Sequence, residues 1–119
     1  MFIERLETLA DRIGSVLAIS LVAKDGIPVE SVRRRGGSDL DLDLLAAELM
    51  SQVRAVSQNH RELAVGNVRH FSVTTDLMTL MVSGLTNDYS LLLVLERGAN
   101  VGQARFELRR AILLFETDL

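Results

Sequence analysis

Two stretches of the sequence are apolar on both faces of a β-strand, and this feature limits the fold more than any other. In residues 16–23 apolar side chains occupy both alternating sets of positions, and residues 91–95 are apolar throughout. A strand with two apolar faces has to be covered on both sides of its sheet. We therefore expect these two segments to form the middle of a sheet that carries helices on each side.

The residues after the first stretch predict a hairpin at the edge of that sheet. Asp25-Gly26 supplies the positive-φ positions that a tight turn needs, so the strand at 15–23 should be followed by a second strand at 27–32. Pro28 has no amide hydrogen to donate to a neighbouring strand. This second strand is therefore expected to lie at the sheet edge.

Apolar residues at helical spacing predict three helices. The first covers residues 2–13, the second is capped by Ser38 or Asp39 and runs to about Glu62, and the third follows its cap, Asn100. Three more strands are predicted at 68–75, 77–83 and 89–96. The first of these strands is polar enough to form the second edge of the sheet.

The predicted order of elements is α-β-β-α-β-β-β-α. Consecutive strands joined by short turns make an antiparallel sheet, so we expect an α/β fold of the α+β kind: a five-stranded antiparallel sheet in a three-layer α/β/α sandwich. The chain has 119 residues, one proline and no low-complexity segment. We therefore expect a single domain over residues 1–119.

Composition excludes several classes of function. The chain has no Cys, a formal net charge of −3 and a sequence pI of about 5.3, which argues against a disulfide framework, thiol catalysis and a nucleic-acid partner. Glu4 and Arg5 lie where a secretory signal needs an unbroken apolar stretch. No apolar run approaches the roughly 20 residues that span a bilayer. We expect a cytoplasmic protein with no direct membrane insertion.

The sequence also lacks the motifs of common active sites. It has no Walker-type phosphate loop, no Gly-x-Gly-x-x-Gly after a strand and no nucleophile elbow. His60 and His70 fall on different predicted elements without other ligands around them, so we expect no metal, no cofactor and no catalytic residue. We interpret His70 as an ordinary surface residue, with an influence on the pairing of the edge strand as the alternative. The last helix carries three arginines that we interpret as surface and ion-pair residues: Arg105, Arg109 and Arg110.

The second helix has more large apolar residues than one core needs. Its core stripe consists of Leu42, Leu45, Ala46, Leu49, Val53 and Val56. The opposite face carries Leu40, Leu44, Ala47, Ser51, Arg54, Ala55 and Gln58. Leucines that face outward favour packing against a second protein.

A basic run precedes this helix. We interpret Arg33, Arg34 and Arg35, which are followed by two glycines, as a flexible and solvated loop. The alternative interpretation is a contact with an anionic partner, including a charge supplied in trans to a phosphate.

Three stretches, in the right order and on the right elements, resemble the Roadblock (dynein light chain) domain family. Residues 20–29, read as a strand, Asp-Gly and a second strand, are similar to the first hairpin of that family. Leu44-Leu45-Ala46-Ala47 resembles the Ala-Ala signature of its long helix, and residues 96–111 resemble its last strand-to-helix junction. The resemblance covers almost the whole chain and implies a profilin-like Roadblock fold.

The resemblance also implies a dimer, either of this chain with itself or with another Roadblock chain. In that family the long helices of two chains pack together and the third strands pair edge to edge. The expected interface residues are Leu40, Leu44, Ala47 and Ser51 on the helix, and Arg69, Phe71 and Val73 on the strand.

In function, the resemblance implies a homodimer that binds and regulates a small Ras-like GTPase of the gliding-motility type and promotes its GTP hydrolysis. Activating members of the family realign the residues of the GTPase and have no active site of their own. The expected partner contacts are Arg33, Arg34, Arg35, Arg54 and Gln58. The alternative is a non-catalytic scaffold or adaptor subunit that dimerises with another Roadblock chain. A small-molecule sensor is least favoured, because the sequence shows few aromatics and no obvious polar pocket.

Overall fold

The computed structural model describes residues 2–86 and 88–116, with the backbone alone at 59–62 and 86. The elements follow the predicted order. They are α1 (Ile3–Ile13), β1 (Val16–Ala23), β2 (Pro28–Arg33), α2 (Leu42–Leu63), β3 (His70–Thr74), β4 (Met78–Thr86), β5 (Tyr89–Glu96) and α3 (Val101–Glu116). The side chain of His60 lies outside the described residues.

The five strands form one antiparallel sheet in the order β2-β1-β5-β4-β3. The prediction that the two doubly apolar segments lie in the middle is confirmed, because β5 is central and β1 is its neighbour. The predicted edges are also confirmed, with β2 at one side and β3 at the other. Leu21 of β1 lies opposite Leu91 of β5.

Two apolar layers cover the sheet, which confirms the three-layer sandwich. On one face α1 and α3 pack against alternate strand residues, including Ile19 and Leu93. On the other face α2 packs against the intervening residues, including Val22 and Leu92. These four strand residues are 0–1% exposed. Burying each such side chain contributes roughly 1.5–3 kcal/mol, so truncating Leu92 or Leu93 should weaken the layer on its own side of the sheet by about that amount.

Side-chain caps set the starts of the two longer helices. The predicted cap Asn100 is confirmed for α3, because its Oδ1 accepts a hydrogen bond from the amide of Gln103 at 3.0 Å. For α2 the predicted cap at Ser38 or Asp39 is wrong. Asp41 is the cap, since its Oδ1 accepts the amide hydrogen of Leu44 at 3.0 Å. The preceding residues form a turn instead of a first helical turn.

Glycines shape the turns on either side of β2. Gly26 has φ of 88° in the β1–β2 turn, and a Cβ built on it would lie 3.6 Å from the Cα of Ala47. The turn therefore lies directly against α2. At Gly37 a Cβ would collide with the carbonyl of Leu17. This close approach lets the chain pass from β2 to α2 across the end of β1. Within the described part of the chain, no helix is long and apolar enough to cross a membrane.

Candidate functional site

The exposed side of α2 is the first candidate surface. We call it the α2 outer face, and it consists of Leu44, Ala47, Ser51, Arg54, Ala55 and Gln58, all of them exposed. Leu44 is 65% exposed in the single chain. Ile27 follows the turn that lies against Ala47 and is 61% exposed. The α2 outer face is therefore apolar at the end that carries Leu44, which is the end near the β1–β2 turn.

Leu40 does not lie on the α2 outer face, and its predicted helical position is wrong. The helix begins only at Leu42 because Asp41 caps it. Leu40 is half-buried and packs against the cluster formed by Ala18, Leu42 and Val94. Its side chain therefore contributes mainly to the core of its own chain.

The edge strand β3 is the second candidate surface. Among the described strands β3 pairs only with β4, so one side of its backbone has no strand partner. Phe71 is half-buried and packs against the same cluster that holds Leu49 of α2, whereas Val73 is half-buried further along the strand. Arg69 is exposed and precedes the first residue of β3. Through Phe71, the open edge is joined to the layer that carries the α2 outer face.

The basic run is only partly available to a partner, and its prediction as a flexible loop is wrong for two of its three arginines. Arg33 ends β2, and its Nη1 donates to the carbonyl oxygen of Leu40 at 3.0 Å. Arg34 donates from Nη2 to the carbonyl oxygen of Glu7 at 3.0 Å and forms an ion pair with Asp11. Arg35 is exposed and has no described side-chain contact.

The structure does not bring the predicted partner contacts together as one group. Arg35 lies before the N-terminus of α2, whereas Arg54 and Gln58 lie in the second half of that helix. At 1.5 Å per residue, Arg54 is about 18 Å along the helix axis from Leu42. A partner that contacts both ends has to extend along the α2 outer face.

A cavity that the sequence did not predict lies on the opposite face of the sheet. Its volume is about 730 Å³, and residues of α3 and of the paired ends of β3 and β4 line it. We call it the α3 cavity. The expectation that the chain has no polar pocket is therefore wrong. Arg105 and Arg109 could have indicated it, because they lie one helical turn apart beside the core stripe of α3.

His70 lies in the wall of the α3 cavity, which makes its prediction as an ordinary surface residue wrong. It is half-buried, and its Nδ1 lies 2.6 Å from Oγ of Ser83, the residue opposite it on β4. Burial, and then the positive charges of Arg105 and Arg109, lower the pKa of His70 below 6.5. These surroundings therefore disfavour the charged imidazolium form of His70.

No protein-family model and no curated protein matches the sequence. Solved structures do match. An MglB with a tetrameric arrangement has a TM-score of 0.87 at 20% identity, with 97% of this chain and 85% of that chain covered. MglC from Myxococcus xanthus has a TM-score of 0.72 at 27% identity, covering 99% and 98%. A Roadblock/LC7 domain from Streptomyces avermitilis has a TM-score of 0.77 at 19% identity, covering 90% and 88%.

Proposed function

We propose that this chain, which has the profilin-like Roadblock fold, works as a homodimer that binds and regulates a small Ras-like GTPase. Two observations carry the proposal: Leu44 is exposed on the α2 outer face, and β3 pairs with β4 alone among the described strands. These are the two surfaces through which the sequence resemblance expects Roadblock chains to dimerise.

The α2 outer face is suited to packing against a second copy of itself. Ala47, Ser51 and Ala55 form a row of small residues at four-residue spacing, and such rows let two helices approach closely. Leu44 at the end of the row would be buried by the partner helix. Pairing of two β3 strands would at the same time join two five-stranded sheets into one continuous sheet.

The proposed partner is a small Ras-like GTPase, and we propose that the encounter takes place in the cytoplasm. The sequence resemblance to GTPase regulators supports this, as does the structural likeness to MglB and MglC. Arg35, Arg54 and Gln58 are the exposed polar residues that we propose for the contact. Binding that favours the hydrolysis-competent switch conformation would promote GTP hydrolysis without a catalytic residue in this chain.

A second candidate function is a scaffold or adaptor subunit that dimerises with another Roadblock chain. The contacts of Arg33 and Arg34 within their own chain favour it, because they leave Arg35 as the exposed arginine without a described contact in the basic run. A scaffold needs a dimer surface but no means of acting on GTP. The preference for a heterodimer over the homodimer, measured after mixing with another Roadblock chain, would support this function.

GTP hydrolysis by the small Ras-like GTPases encoded in the same genome, first by one whose gene is adjacent, tests the proposal. We expect the wild-type protein to bind the GTP-loaded form and to accelerate hydrolysis. Binding without acceleration would overturn the activator function and support the scaffold. Absence of binding to every such GTPase would overturn the proposal as a whole.

A further inference from the structure

The α3 cavity lies away from the α2 outer face, but its wall includes Arg69 and His70 at the start of the β3 edge that is proposed for strand pairing. It opens between α3 and the sheet, whereas α2 covers the other face. Its volume of about 730 Å³ is within the range of small-molecule sites, which runs from about 300 to 1,000 Å³. The proposed contact between the α2 outer face and a GTPase assigns no role to the α3 cavity.

Positive charge dominates the polar lining of the α3 cavity. Three arginines line it, Arg69 from the segment before β3 and Arg105 and Arg109 from α3. Among the described residues, none of these three guanidinium groups has an ion pair or a hydrogen bond. The carboxylate in the lining is Glu116, which lies about 10 Å further along the helix axis than Arg109. An anion would therefore be attracted to the end of the cavity nearest Arg105.

His70 adds an unused hydrogen-bonding atom to the same cavity. Its Nδ1 is engaged by Ser83 at 2.6 Å, whereas its Nε2 is buried and has no hydrogen-bond partner in the structure. When the Ser83 hydroxyl donates to Nδ1, the ring hydrogen lies on Nε2 and can be donated to a ligand oxygen. His70 lies in the cavity wall, so a small movement of its ring would bring the buried Nε2 against the oxygen of a ligand.

The inner wall is apolar. Leu85 and Leu108 are 5% and 2% exposed, and Ile112 is half-buried beside them. Leu85 and Leu108 are almost covered by their own chain, so the apolar surface that a ligand can cover is mainly that of Ile112. The lining therefore fits a molecule with an anionic head and a compact apolar body.

We propose that the α3 cavity binds a small phosphate ester, with the phosphate against Arg105, Arg109 and Nε2 of His70. The apolar part of the ester lies on Leu85, Leu108 and Ile112. Guanidinium groups match phosphate oxygens in geometry, and two unpaired guanidinium groups balance the two negative charges of a phosphate monoester. A dianion bound between Arg105 and Arg109 would also offset the repulsion between these two positive charges.

Calorimetric titration with phenyl phosphate tests this proposal, with inorganic phosphate and benzoate as comparison probes. The test variant is R105Q/R109Q, and the control is R110Q, which removes one charge from the same helix outside the cavity lining. Arg110 is half-exposed and pairs with Glu107 at 3.2 Å within the same helix. All three arginines are exposed, so we expect both variants to keep the fold, which far-UV circular dichroism checks.

We expect the wild type and R110Q to bind phenyl phosphate equally and R105Q/R109Q to bind at least about tenfold more weakly, with inorganic phosphate weaker than its ester. In the wild type, the ring signals of His70 should shift in NMR spectra on binding. Equal affinities in R105Q/R109Q and R110Q, or no wild-type binding at millimolar ester, would overturn the proposal. Benzoate binding as tightly as phenyl phosphate would overturn the preference for phosphate. Should the double variant not fold, R105Q and R109Q are measured singly against the same control.

Discussion

Nη2 of Arg34 lies 3.0 Å from Oδ1 of Asp11 and 3.0 Å from the carbonyl oxygen of Glu7. These contacts fasten the segment after β2 to α1, on the face of the sheet opposite α2. The basic run of the sequence therefore divides by role, with Arg34 stabilising the fold and Arg35 exposed to solvent. The adjacent arginines of the basic run therefore do not share one function.

Arg34→Ala should lower the free energy of unfolding by about 1–2 kcal/mol, because it removes a hydrogen bond, an ion pair and packing against α1. Asp11→Asn should cost less than about 1 kcal/mol, since the Asp11 carboxylate is 72% exposed. Arg35→Ala is the matched control and should leave stability unchanged. Urea unfolding measures all three, and equal midpoints for the variants of Arg34 and Arg35 would contradict the assignment.

Gly37→Ala should destabilise the protein by at least about 2 kcal/mol. The new Cβ would meet the carbonyl of Leu17 across the end of β1, and a backbone neighbour of this kind cannot move aside cheaply. Gly102→Ala is the control, because its Cβ would lie 3.5 Å from Asn100 in an ordinary contact and Ala favours a helix. Thermal unfolding of both variants checks this. A Gly37 variant as stable as the Gly102 variant would contradict the close approach of Gly37 to the carbonyl of Leu17.

Stability should fall on mild acidification because of His70. In the folded chain its pKa lies below 6.5, owing to burial and to Arg105 and Arg109, whereas the unfolded chain titrates near 6.5. Between the two values the unfolded state binds more protons, so this contribution to stability is present above pH 6.5. It is lost as the pH falls through the folded pKa. The charged groups lining the same cavity are Arg69, which also repels a proton, and Glu116, which attracts one from further along α3.

The measurement is urea unfolding between pH 5 and 8 for the wild type and His70→Gln, together with an NMR titration of the ring. The variant should lose the part of the pH dependence that His70 causes, and R105Q/R109Q should bring the pKa of His70 closer to 6.5. A ring pKa at or above 6.5 in the wild type would contradict the described surroundings.

Association should depend on the α2 outer face. Leu44→Glu places a charge where two helices are proposed to meet, so the variant should elute with the 13.2 kDa mass of one chain and the wild type with twice that mass. Leu113→Glu is the matched control, because Leu113 is 69% exposed, close to the 65% of Leu44, but lies on α3. Light scattering after gel filtration gives the masses. A monomeric wild type would contradict the proposed homodimer.

The architecture could be predicted from the sequence because buried strands and helices show a regular pattern of apolar residues along the chain. Residues 91–95 are apolar throughout and became the central strand, and Pro28 stands at the start of an edge strand. The start of α2 was misplaced because several residues before it can cap a helix. Asp41 is identified as the cap only in the structure, where its Oδ1 accepts the amide hydrogen of Leu44.

The α3 cavity and the role of Arg34 could not be predicted in the same way. Arg34 meets Glu7 across 27 positions of the chain, and His70 meets Ser83 across 13. The first contact depends on how α1 packs against the sheet, and the second depends on the register of β3 and β4. The local sequence pattern encodes neither. Arg105 likewise reads as a surface residue until α3 is placed over the ends of β3 and β4.

The most direct test of the central claim, a dimer that engages one GTPase, is the mass of the complex formed with a GTP-loaded small Ras-like GTPase from the same genome. We predict a complex of two chains and one GTPase, and no such complex for Leu44→Glu under the same conditions. A complex of one chain with one GTPase, or an unchanged complex with Leu44→Glu, would contradict the account.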